Sequence, residues 1–593
     1  MNDGKDSRNL LVRLGPKETA RGSRSLRALT WVVLLSAWSL SVGLASAQDA
    51  LGEDTNSLHG VVVNSITREP ISRALVASPD NRFATMTDSQ GHFEFAFPKT
   101  EAGTDGTRGD GSSRPSQLVA RKPGYLTDPD QDLQLDPGAK EISISLAPEA
   151  VIVGSVKLPT AEAADRIQVE YYRREVQEGR ARWVLSGTTT TRSNGEFRFA
   201  ELAAGTYKLL TRELLDRDQP ALPSQGEQLY GYPPVYFPNA TDFADAESIQ
   251  LVAGQTFQAD LDVVRQPYYP VKVAVANPPL GGGVNVSVSP RGSHGPGYAL
   301  GYNQQTHMIE GLLPQGVYTL EVSGYGPPMT TGTLNLAVHG APLGATMTMV
   351  PLQSISVNVK EEFSTAENPD NLAFYKSYGR LRGSRQYLNL LLEPADDFGQ
   401  AGAVGLRPPS GPNDAALVFE GVAPGRYWLH IDSGRGYVAS VTAGGVDLLL
   451  EPLVVAGDAS SPAIEITMRD DSAQIEGTVE GANASLSAAN ILAASLVGVS
   501  TPEAYREFAH VYFVPLPDSP GRFTEVVMSP DGTFSSPELP PGAYRVLAFK
   551  RQQTDLEYRN PEAMRIYDAK GPVVHLTAGQ KEHLTLQLIS KGE

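Results

Sequence analysis

The residues best suited to recognise a ligand lie in one loop that is rich in tyrosine and proline. Residues 230–238 read Tyr-Gly-Tyr-Pro-Pro-Val-Tyr-Phe-Pro. Because prolines restrict the backbone, the rings of Tyr230, Tyr232, Tyr236 and Phe237 could be held ready to stack on sugar faces or to bury against a partner. The alternative is that the loop folds back over the core of its own domain. Exposure of the rings separates the two interpretations.

A second set of candidate ligands is the run of alternating aspartates Asp128, Asp130 and Asp132. Carboxylate oxygens gathered in this way are suited to Ca²⁺. An EF-hand-like loop also requires a central glycine and a terminal glutamate, whereas the matching positions hold Leu133 and Ala139. The alternative interpretation is an acidic loop exposed to solvent.

The patterns that usually indicate an enzyme are missing from the sequence. The nine histidines are scattered, and none stands in the spacing of a zinc peptidase. There is no cysteine nucleophile and no Gly-x-Ser-x-Gly elbow. We therefore predict a non-enzymatic protein without catalytic residues or a cofactor. A hydrolase whose residues converge only in three dimensions is the remaining enzymatic alternative.

These candidate residues must be positioned by an element that recurs along the chain and ends in Gly-x-Tyr. The glycines of its four copies, at positions 205, 316, 425 and 542, lie 111, 109 and 117 residues apart. A period of about 110 residues is the size of one β-sandwich domain and is too long for a solenoid repeat. The motif predicts a strand that starts at the glycine and carries a packed tyrosine ring.

The repeat predicts an all-β fold, a tandem array of about five immunoglobulin- or transthyretin-like β-sandwich domains after an N-terminal signal peptide. Its predicted parts are the signal peptide (1–47), the first domain (48–149), the second (150–266), the third (267–352), the fourth with a polar insertion (353–470) and the fifth (471–593). Because the linkers are short, we expect an elongated, semi-rigid array.

The first segment has the pattern of an export signal. Basic residues precede an apolar run from Ala28 to Leu44, and Ala45-Ser46-Ala47 supplies the small residues of a cleavage site. The alternative is a retained membrane anchor. We predict a secreted, periplasmic or cell-surface protein with no membrane span after signal cleavage. The net charge of −18 argues against nucleic acid as a partner, because nucleic acid requires clustered basic residues.

Three of the predicted domains share a further turn motif. It reads Asp88-Ser89-Gln90-Gly91-His92-Phe93 in the first domain, Ser193-Asn194-Gly195-Glu196-Phe197 in the second and Asp531-Gly532-Thr533-Phe534 in the fifth. With Gly60-Val61-Val62, these residues resemble the carboxypeptidase regulatory-like domain, a transthyretin-like fold of the carbohydrate-binding-like type. Secreted bacterial multi-domain proteins look similar. The resemblance implies no peptidase activity, and a generic immunoglobulin-like sandwich remains open for the third and fourth domains.

Two functions are open at this point. The first is a non-enzymatic scaffold or interaction protein of the cell envelope or the medium, built from β-sandwich modules and presenting loops to a cell-envelope protein. The second is a carbohydrate-binding protein that uses the aromatic loop with Tyr230, Tyr232 and Tyr236. Rings in one plane on an open face favour sugar, whereas buried rings favour the scaffold.

Overall fold

The computed structural model of this chain describes residues 57–96, 115, 117–128, 135, 140–159, 164–215, 228–279, 283–292, 297–326, 328–364, 383–395, 402–411, 414–457, 460–481, 509–517, 519–529 and 531–589. The predicted signal peptide at 1–47 lies outside these residues. Most of the described chain belongs to one compact unit, His59–Phe93 with Pro115–Glu593, while Met1–Leu58 and Glu94–Arg114 form a separate unit.

Regular structure in the described residues is almost entirely β-strand, which confirms the predicted all-β fold. The helical segments are one short α-helix at Pro561–Met564 and 3-10 turns at Gly383–Gln386 and Arg565–Tyr567. The strands fall into five consecutive groups, which we number one to five from the N-terminus.

The first three groups contain 25 strands, which are numbered in the order of the sequence. Group one contains β1 (Ser57–Asn64), β2 (Leu75–Ala77), β3 (Ala84–Met86), β4 (His92–Ala96), β5 (Val119–Arg121), β6 (Tyr125–Thr127) and β7 (Glu141–Pro148). Group two contains β8 (Ala150–Lys157), β9 (Gln168–Gln177), β10 (Arg180–Thr190), β11 (Glu196–Leu202), β12 (Gly205–Thr211), β13 (Leu214–Leu215), β14 (Leu229–Tyr232), β15 (Ile249–Leu251), β16 (Thr256–Gln258) and β17 (Leu261–Asp262). Group three contains β18 (Gln266–Ala276), β19 (Val284–Pro290), β20 (Leu300–Asn303), β21 (Met308–Pro314), β22 (Gly316–Gly324), β23 (Thr330–Val338), β24 (Leu343–Thr348) and β25 (Val350–Pro351).

The last two groups complete the chain. Group four contains β26 (Gln353–Glu362), β27 (Leu388–Pro394), β28 (Val404–Gly405), β29 (Leu417–Val422), β30 (Gly425–Ser433), β31 (Tyr437–Ala443), β32 (Val446–Asp447), β33 (Leu453–Val455) and β34 (Ile464–Arg469). Group five contains β35 (Gln474–Glu480), β36 (His510–Pro515), β37 (Thr524–Val527), β38 (Thr533–Ser535), β39 (Gly542–Phe549), β40 (Val573–Leu576) and β41 (Lys581–Ile589).

All five groups share one pairing rule. The opening strand of each group pairs in parallel with a strand at the end of the same group: β1 with β7, β8 with β16, β18 with β24, β26 with β34 and β35 with β41. The strand before each Gly-x-Tyr motif pairs antiparallel with the same opening strand, as β11 does with β8 and β29 with β26. Groups three and four therefore share the topology of the others, although they lack the Asp/Asn-Gly-x-Phe turn. Their membership of one family stays a prediction.

The Gly-x-Tyr motif starts a strand in all four copies, as its sequence predicts. Strands β12, β22, β30 and β39 each begin at the motif glycine. In each copy the tyrosine is buried and its hydroxyl donates a hydrogen bond to the carbonyl oxygen four residues earlier. The donor-to-acceptor distances are 2.7 Å for Tyr207 to Ala203, 2.9 Å for Tyr318 to Pro314, 2.9 Å for Tyr427 to Ala423 and 2.8 Å for Tyr544 to Pro540. Each ring thus fixes the turn that precedes its own strand.

We expect Tyr427→Phe to lower the free energy of unfolding of the protein by about 1 kcal/mol, because the ring still packs while the carbonyl oxygen of Ala423 loses its donor. Denaturant unfolding followed by fluorescence measures the change. Tyr325→Phe is the matched control, since the ring of Tyr325 is exposed. Equal effects of the two substitutions would contradict this role of the hydroxyl.

Groups two and three are joined through a shared sheet. Strand β14 pairs antiparallel with β18, with Leu229 opposite Tyr268, and β13 extends the same sheet beyond β14. The hairpin β13–β14 therefore adds to the sheet that carries the opening strand of group three. The predicted domain boundaries, including the one between 266 and 267, stay predictions.

Contacts inside the larger unit also join groups that are distant in sequence. Arg174 of group two pairs with Glu557 of group five, and Arg182 of group two pairs with Glu393 of group four. Contacts therefore reach beyond groups that are neighbours in the sequence, and the elongated, semi-rigid array stays a prediction. Short linkers restrict neighbouring domains, but they do not prevent a long hairpin from reaching past them.

Candidate functional site

The contacts between distant groups are made by one long β-hairpin of group two, formed by β9 and β10, which we call the arm. Its strands pair antiparallel, with Arg180 opposite Gln177 and Arg182 opposite Glu175. The turn residues Glu178 and Gly179 both have positive φ, 48° and 72°. That conformation is typical of the tight two-residue turns that match the twist of a hairpin.

The arm uses its two faces differently. Side chains directly opposite each other share a face, so Arg174 lies with Trp183, while Arg180 and Arg182 lie on the other face. Arg174 pairs with group five, and Arg180 and Arg182 contact group four. The alternation of a β-strand therefore places the arm between the two groups.

Group five holds the first face and the tip of the arm. The guanidinium of Arg174 donates two hydrogen bonds to Glu557, at 2.5 and 2.9 Å, and these bonds hold the pKa of that carboxyl below its usual range. The amide of Arg559 donates to the carbonyl oxygen of Gly179 at 3.2 Å, and the hydroxyl of Tyr558 donates to Glu178 at 3.2 Å. These bonds fix the turn of the arm against group five.

Group four holds the second face through a buried ion pair. The guanidinium of Arg182 lies 2.9 Å from one oxygen of Glu393 and donates to the carbonyl oxygen of Pro394 at 3.1 Å. The other oxygen of Glu393 lies 2.5 Å from Nε2 of His430. Beside this pair, the guanidinium carbon of Arg180 lies 3.5 Å from the centre of the Trp428 ring. One carboxylate therefore links the arm to two strands of group four, β27 and β30.

The glycine at the tip of the arm is required by its neighbour. A Cβ added to Gly179 would lie 2.7 Å from three ring atoms of Tyr558, and the ring of Tyr558 is itself stacked on Phe523 with ring centres 3.8 Å apart. Any larger residue must displace this stacked pair, and the positive φ adds strain.

We expect Gly179→Ala to release the tip of the arm from group five and to increase hydrogen exchange at the amide of Arg559 by at least about tenfold. Hydrogen exchange followed by mass spectrometry measures this protection. Gly283→Ala is the matched control, because a Cβ at Gly283 meets no atom within 4 Å. Unchanged exchange in the Gly179 variant would contradict the docked tip.

A cleft of about 1960 Å³ opens where the arm meets groups four and five. Its wall from group four comes mainly from β27, β30 and the segments that follow them, and it combines apolar with polar and charged side chains. The apolar lining residues of this wall are Leu391, Leu429, Ile431, Val438, Leu449 and Leu450. Group five contributes Leu516, Pro517, Pro520 and the stacked pair Phe523 and Tyr558. The guanidinium of Arg522 lies 2.6 Å from Asp432, which ties group five to group four at this cleft.

The aromatic loop lies elsewhere and is mostly buried. Tyr232 and Tyr236 are each 3% exposed and Phe237 is 9% exposed, and all three pack in the hydrophobic cores of group two. Tyr230 is 36% exposed, and the guanidinium of Arg265 lies 4.1 Å from its ring centre. The burial of three of the four rings favours the alternative in which the loop covers its own core, and ligand binding at Tyr230, Tyr232, Tyr236 and Phe237 stays a prediction. The loop folds back over its own core because removing the apolar surface of three rings from water lowers the free energy of the folded protein.

Of the alternating aspartates Asp128, Asp130 and Asp132, the structure describes Asp128 alone. Asp128 accepts a hydrogen bond from the hydroxyl of Ser145 at 2.6 Å, while Asp130 and Asp132 lie outside the described residues. Within the described ranges, His, Cys, Asp and Glu side chains form no group of three that could hold a metal ion. A calcium site at Asp128, Asp130 and Asp132 stays a prediction.

Sequence reasoning did not find the residues that build the cleft. Arg174, Arg180 and Arg182 look like ordinary solvated charges on a hairpin, and their partners lie more than 200 residues away in the sequence. The length of the hairpin, with strands of 10 and 11 residues, is not a distinguishing signal, because β18 and β26 are equally long.

Comparisons with known proteins show similarity at the level of solved structures alone. No protein-family model and no curated protein matches the chain. The TIE protein of Bacillus anthracis matches at 11% identity over 50% of this chain and 51% of that chain, with a TM-score of 0.15. The minor pilin of Streptococcus agalactiae matches at 12% identity over 35% and 94%, with a TM-score of 0.16. The major pilin subunit of Bacillus cereus matches at 7% identity over 54% and 99%, with a TM-score of 0.11.

These similarities do not assign a family. The chain spans about half the length of the TIE protein, and all the identities and scores are low. The resemblance to the carboxypeptidase regulatory-like domain accordingly stays a prediction. Across the described residues, no helix has the length and apolar character needed to span a membrane.

Proposed function

We propose that this chain is a non-enzymatic scaffold and interaction protein of the cell envelope or the medium, and that its binding surface is the cleft between the arm, group four and group five. The observation that carries the proposal is the docking of the arm. The guanidinium groups of Arg174 and Arg182 bind Glu557 and Glu393, and the carbonyl oxygen of Gly179 accepts a bond from Arg559; together these contacts hold three strand groups around one concave surface.

The character of the cleft supports recognition of a large ligand. Its volume of about 1960 Å³ exceeds the roughly 300–1,000 Å³ of typical small-molecule pockets. Its lining contains both apolar and charged side chains, which suits a polysaccharide or a polypeptide segment. Strands β9, β10, β27 and β30 supply part of the cleft wall, and this part is arranged before a ligand binds.

The test is binding of the chain from residue 48 onward to a panel of soluble polysaccharides and peptidoglycan fragments, with a variant that blocks the cleft. Leu391→Arg places a long charged side chain on the apolar wall, where Leu391 is exposed. Val317→Arg is the matched control, because Val317 is an exposed residue on β22 of group three and does not line the cleft.

We expect at least one member of the panel to bind, and we expect Leu391→Arg to abolish that binding while Val317→Arg preserves it. Calorimetric titration measures both. Binding that survives Leu391→Arg would place the interaction elsewhere on the molecule. No binding to any member would contradict a polysaccharide-binding cleft.

A further inference from the structure

Guanidinium groups gather where the tip of the arm meets group five. Arg180 and Arg559 both line the cleft, and the hydrogen bond from the amide of Arg559 to Gly179 brings the two residues together. Among the described residues, neither guanidinium forms an ion pair with a carboxylate. Arg182 stands next to them but is already paired with Glu393.

Arg180 is held in this place at an electrostatic cost. Its guanidinium is covered on one side by the ring of Trp428. Burial, followed by the positive charge of Arg559, lowers the pKa of Arg180 to about 10. Two like charges in a partly desolvated site destabilise each other unless an anion lies between them.

The nearby carboxylates are engaged with other groups. Glu393 binds Arg182 with one oxygen and His430 with the other. Glu178 accepts a hydrogen bond from the hydroxyl of Tyr558. Glu557 accepts both of its short bonds from Arg174. Among the described residues no carboxylate forms an ion pair with Arg180 or Arg559, although the charge of Glu393 partly offsets the lowering of the pKa of Arg180.

We propose that the cleft binds its ligand through an anionic oxygen group, a carboxylate, sulfate or phosphate, placed between Arg180 and Arg559. The planar guanidinium of Arg180 lies against Trp428, which leaves its N–H edge for in-plane, paired hydrogen bonds to such a group. The apolar wall at Leu391 and Leu429 contacts the uncharged part of the ligand. This inference rests on the proposed function and names the chemistry of its ligand.

The test compares ligands that differ in charge. The full chain from residue 48 is titrated in a calorimeter with trigalacturonate, with the neutral trisaccharide cellotriose, with inorganic sulfate and with inorganic phosphate. The same titrations are made with Arg559→Gln, which removes one charge from the cleft without touching the buried pair at Arg182. Arg291→Gln is the matched control, because Arg291 is an exposed arginine of group three that does not line the cleft.

We expect at least one of the anionic probes to bind, and we expect Arg559→Gln to weaken that binding by about tenfold or more, because the variant loses a charge-assisted hydrogen bond to the anion. Arg291→Gln leaves it unchanged. The probe that binds most tightly identifies the source of the oxyanion. Arg180→Gln provides a second variant. Its circular dichroism spectrum is compared with that of wild type to check that the variant is folded.

Two outcomes overturn the inference. If neutral glycans bind and Leu391→Arg abolishes that binding while Arg559→Gln does not, the cleft is a binding site but not for an anion. If the anionic probes bind equally well to wild type and Arg559→Gln, the two guanidinium groups do not form the site. The first outcome leaves the proposed function intact, so failure of the inference and failure of the function are distinguishable.

Discussion

Replacing Arg182 by methionine should lower the free energy of unfolding by about 3 kcal/mol, the largest loss that we expect from a single side chain of the arm. The side chain of Arg182 is 6% exposed, and its partner Glu393 is 19% exposed. Removing the guanidinium leaves the carboxylate partly buried with His430 as its remaining partner, and the carbonyl oxygen of Pro394 loses a donor. Differential scanning calorimetry and denaturant unfolding measure the effect.

Two further variants distinguish the effect of breaking the buried Arg182–Glu393 pair from the effect of removing any positive charge. Arg198→Met removes a guanidinium that is 54% exposed and lies 3.4 Å from Glu149, and it should cost less than about 1 kcal/mol. The double variant Arg182→Met/Glu393→Met should recover much of the loss, because no unpaired charge stays buried. An Arg182→Met variant as stable as Arg198→Met would contradict the docked arm.

The second large effect that we expect is on the pH dependence of stability and comes from Glu213. This residue lies just before β13, where groups two and three share a sheet. One oxygen of Glu213 is buried without a hydrogen-bond partner among the described residues, and the other accepts a bond from the amide of Ala299 at 3.4 Å. Burial raises the pKa of this carboxyl to about 7, although the hydrogen bond from the amide of Ala299 and the charge of Arg212 oppose the shift. The folded protein thus keeps a proton on Glu213 that the unfolded chain releases near its ordinary pKa of 4.5.

The direction of the pH dependence follows from this difference in proton binding. Because the folded state binds the proton more tightly, the free energy of unfolding falls as the pH rises from about 4.5 through about 7. Glu213→Gln does not titrate, so its stability relative to wild type should rise between pH 5 and pH 8, by up to about 3 kcal/mol. Denaturant unfolding of both proteins at the two pH values measures this change.

Glu321→Gln is the matched control for Glu213, because Glu321 is an exposed carboxylate on β22 of group three. The difference in the free energy of unfolding between Glu321→Gln and wild type should be the same at pH 5 and at pH 8. A Glu213→Gln variant that behaves in the same way would show that the carboxyl of Glu213 is not buried at the shared sheet.

The fold was predictable because its signals are local. Gly-x-Tyr marks the start of β12, β22, β30 and β39, and the tyrosine at Tyr207 or Tyr427 bonds to a carbonyl oxygen only four residues away. Likewise Asp88 accepts hydrogen bonds from the amides of Gln90 and His92, which closes the predicted turn. Interactions over so few residues depend on side-chain type and spacing, and both are visible in the sequence.

The candidate site was not predictable because it is made by distant contacts. Arg174 and Glu557 are 383 residues apart, and nothing near either residue indicates the other. The same limit left two interpretations open at the aromatic loop. Its composition suits both an exposed platform and a buried cover, and the choice depends on packing against Leu209 and Phe243, which the loop sequence does not contain. Local sequence patterns therefore identified the fold class but not the contacts that form the cleft.

The docking of the arm can be tested directly because the chain contains no cysteine. Spin labels attached to Gln177→Cys at the arm and Leu450→Cys on group four would be the only labels in the protein, and both positions line the cleft and are exposed. Pulsed electron paramagnetic resonance should give one narrow distance distribution, and the added substitution Gly179→Ala should broaden it. A broad distribution in the otherwise unchanged protein would show that the arm is not docked, and would contradict the cleft as a preformed binding surface.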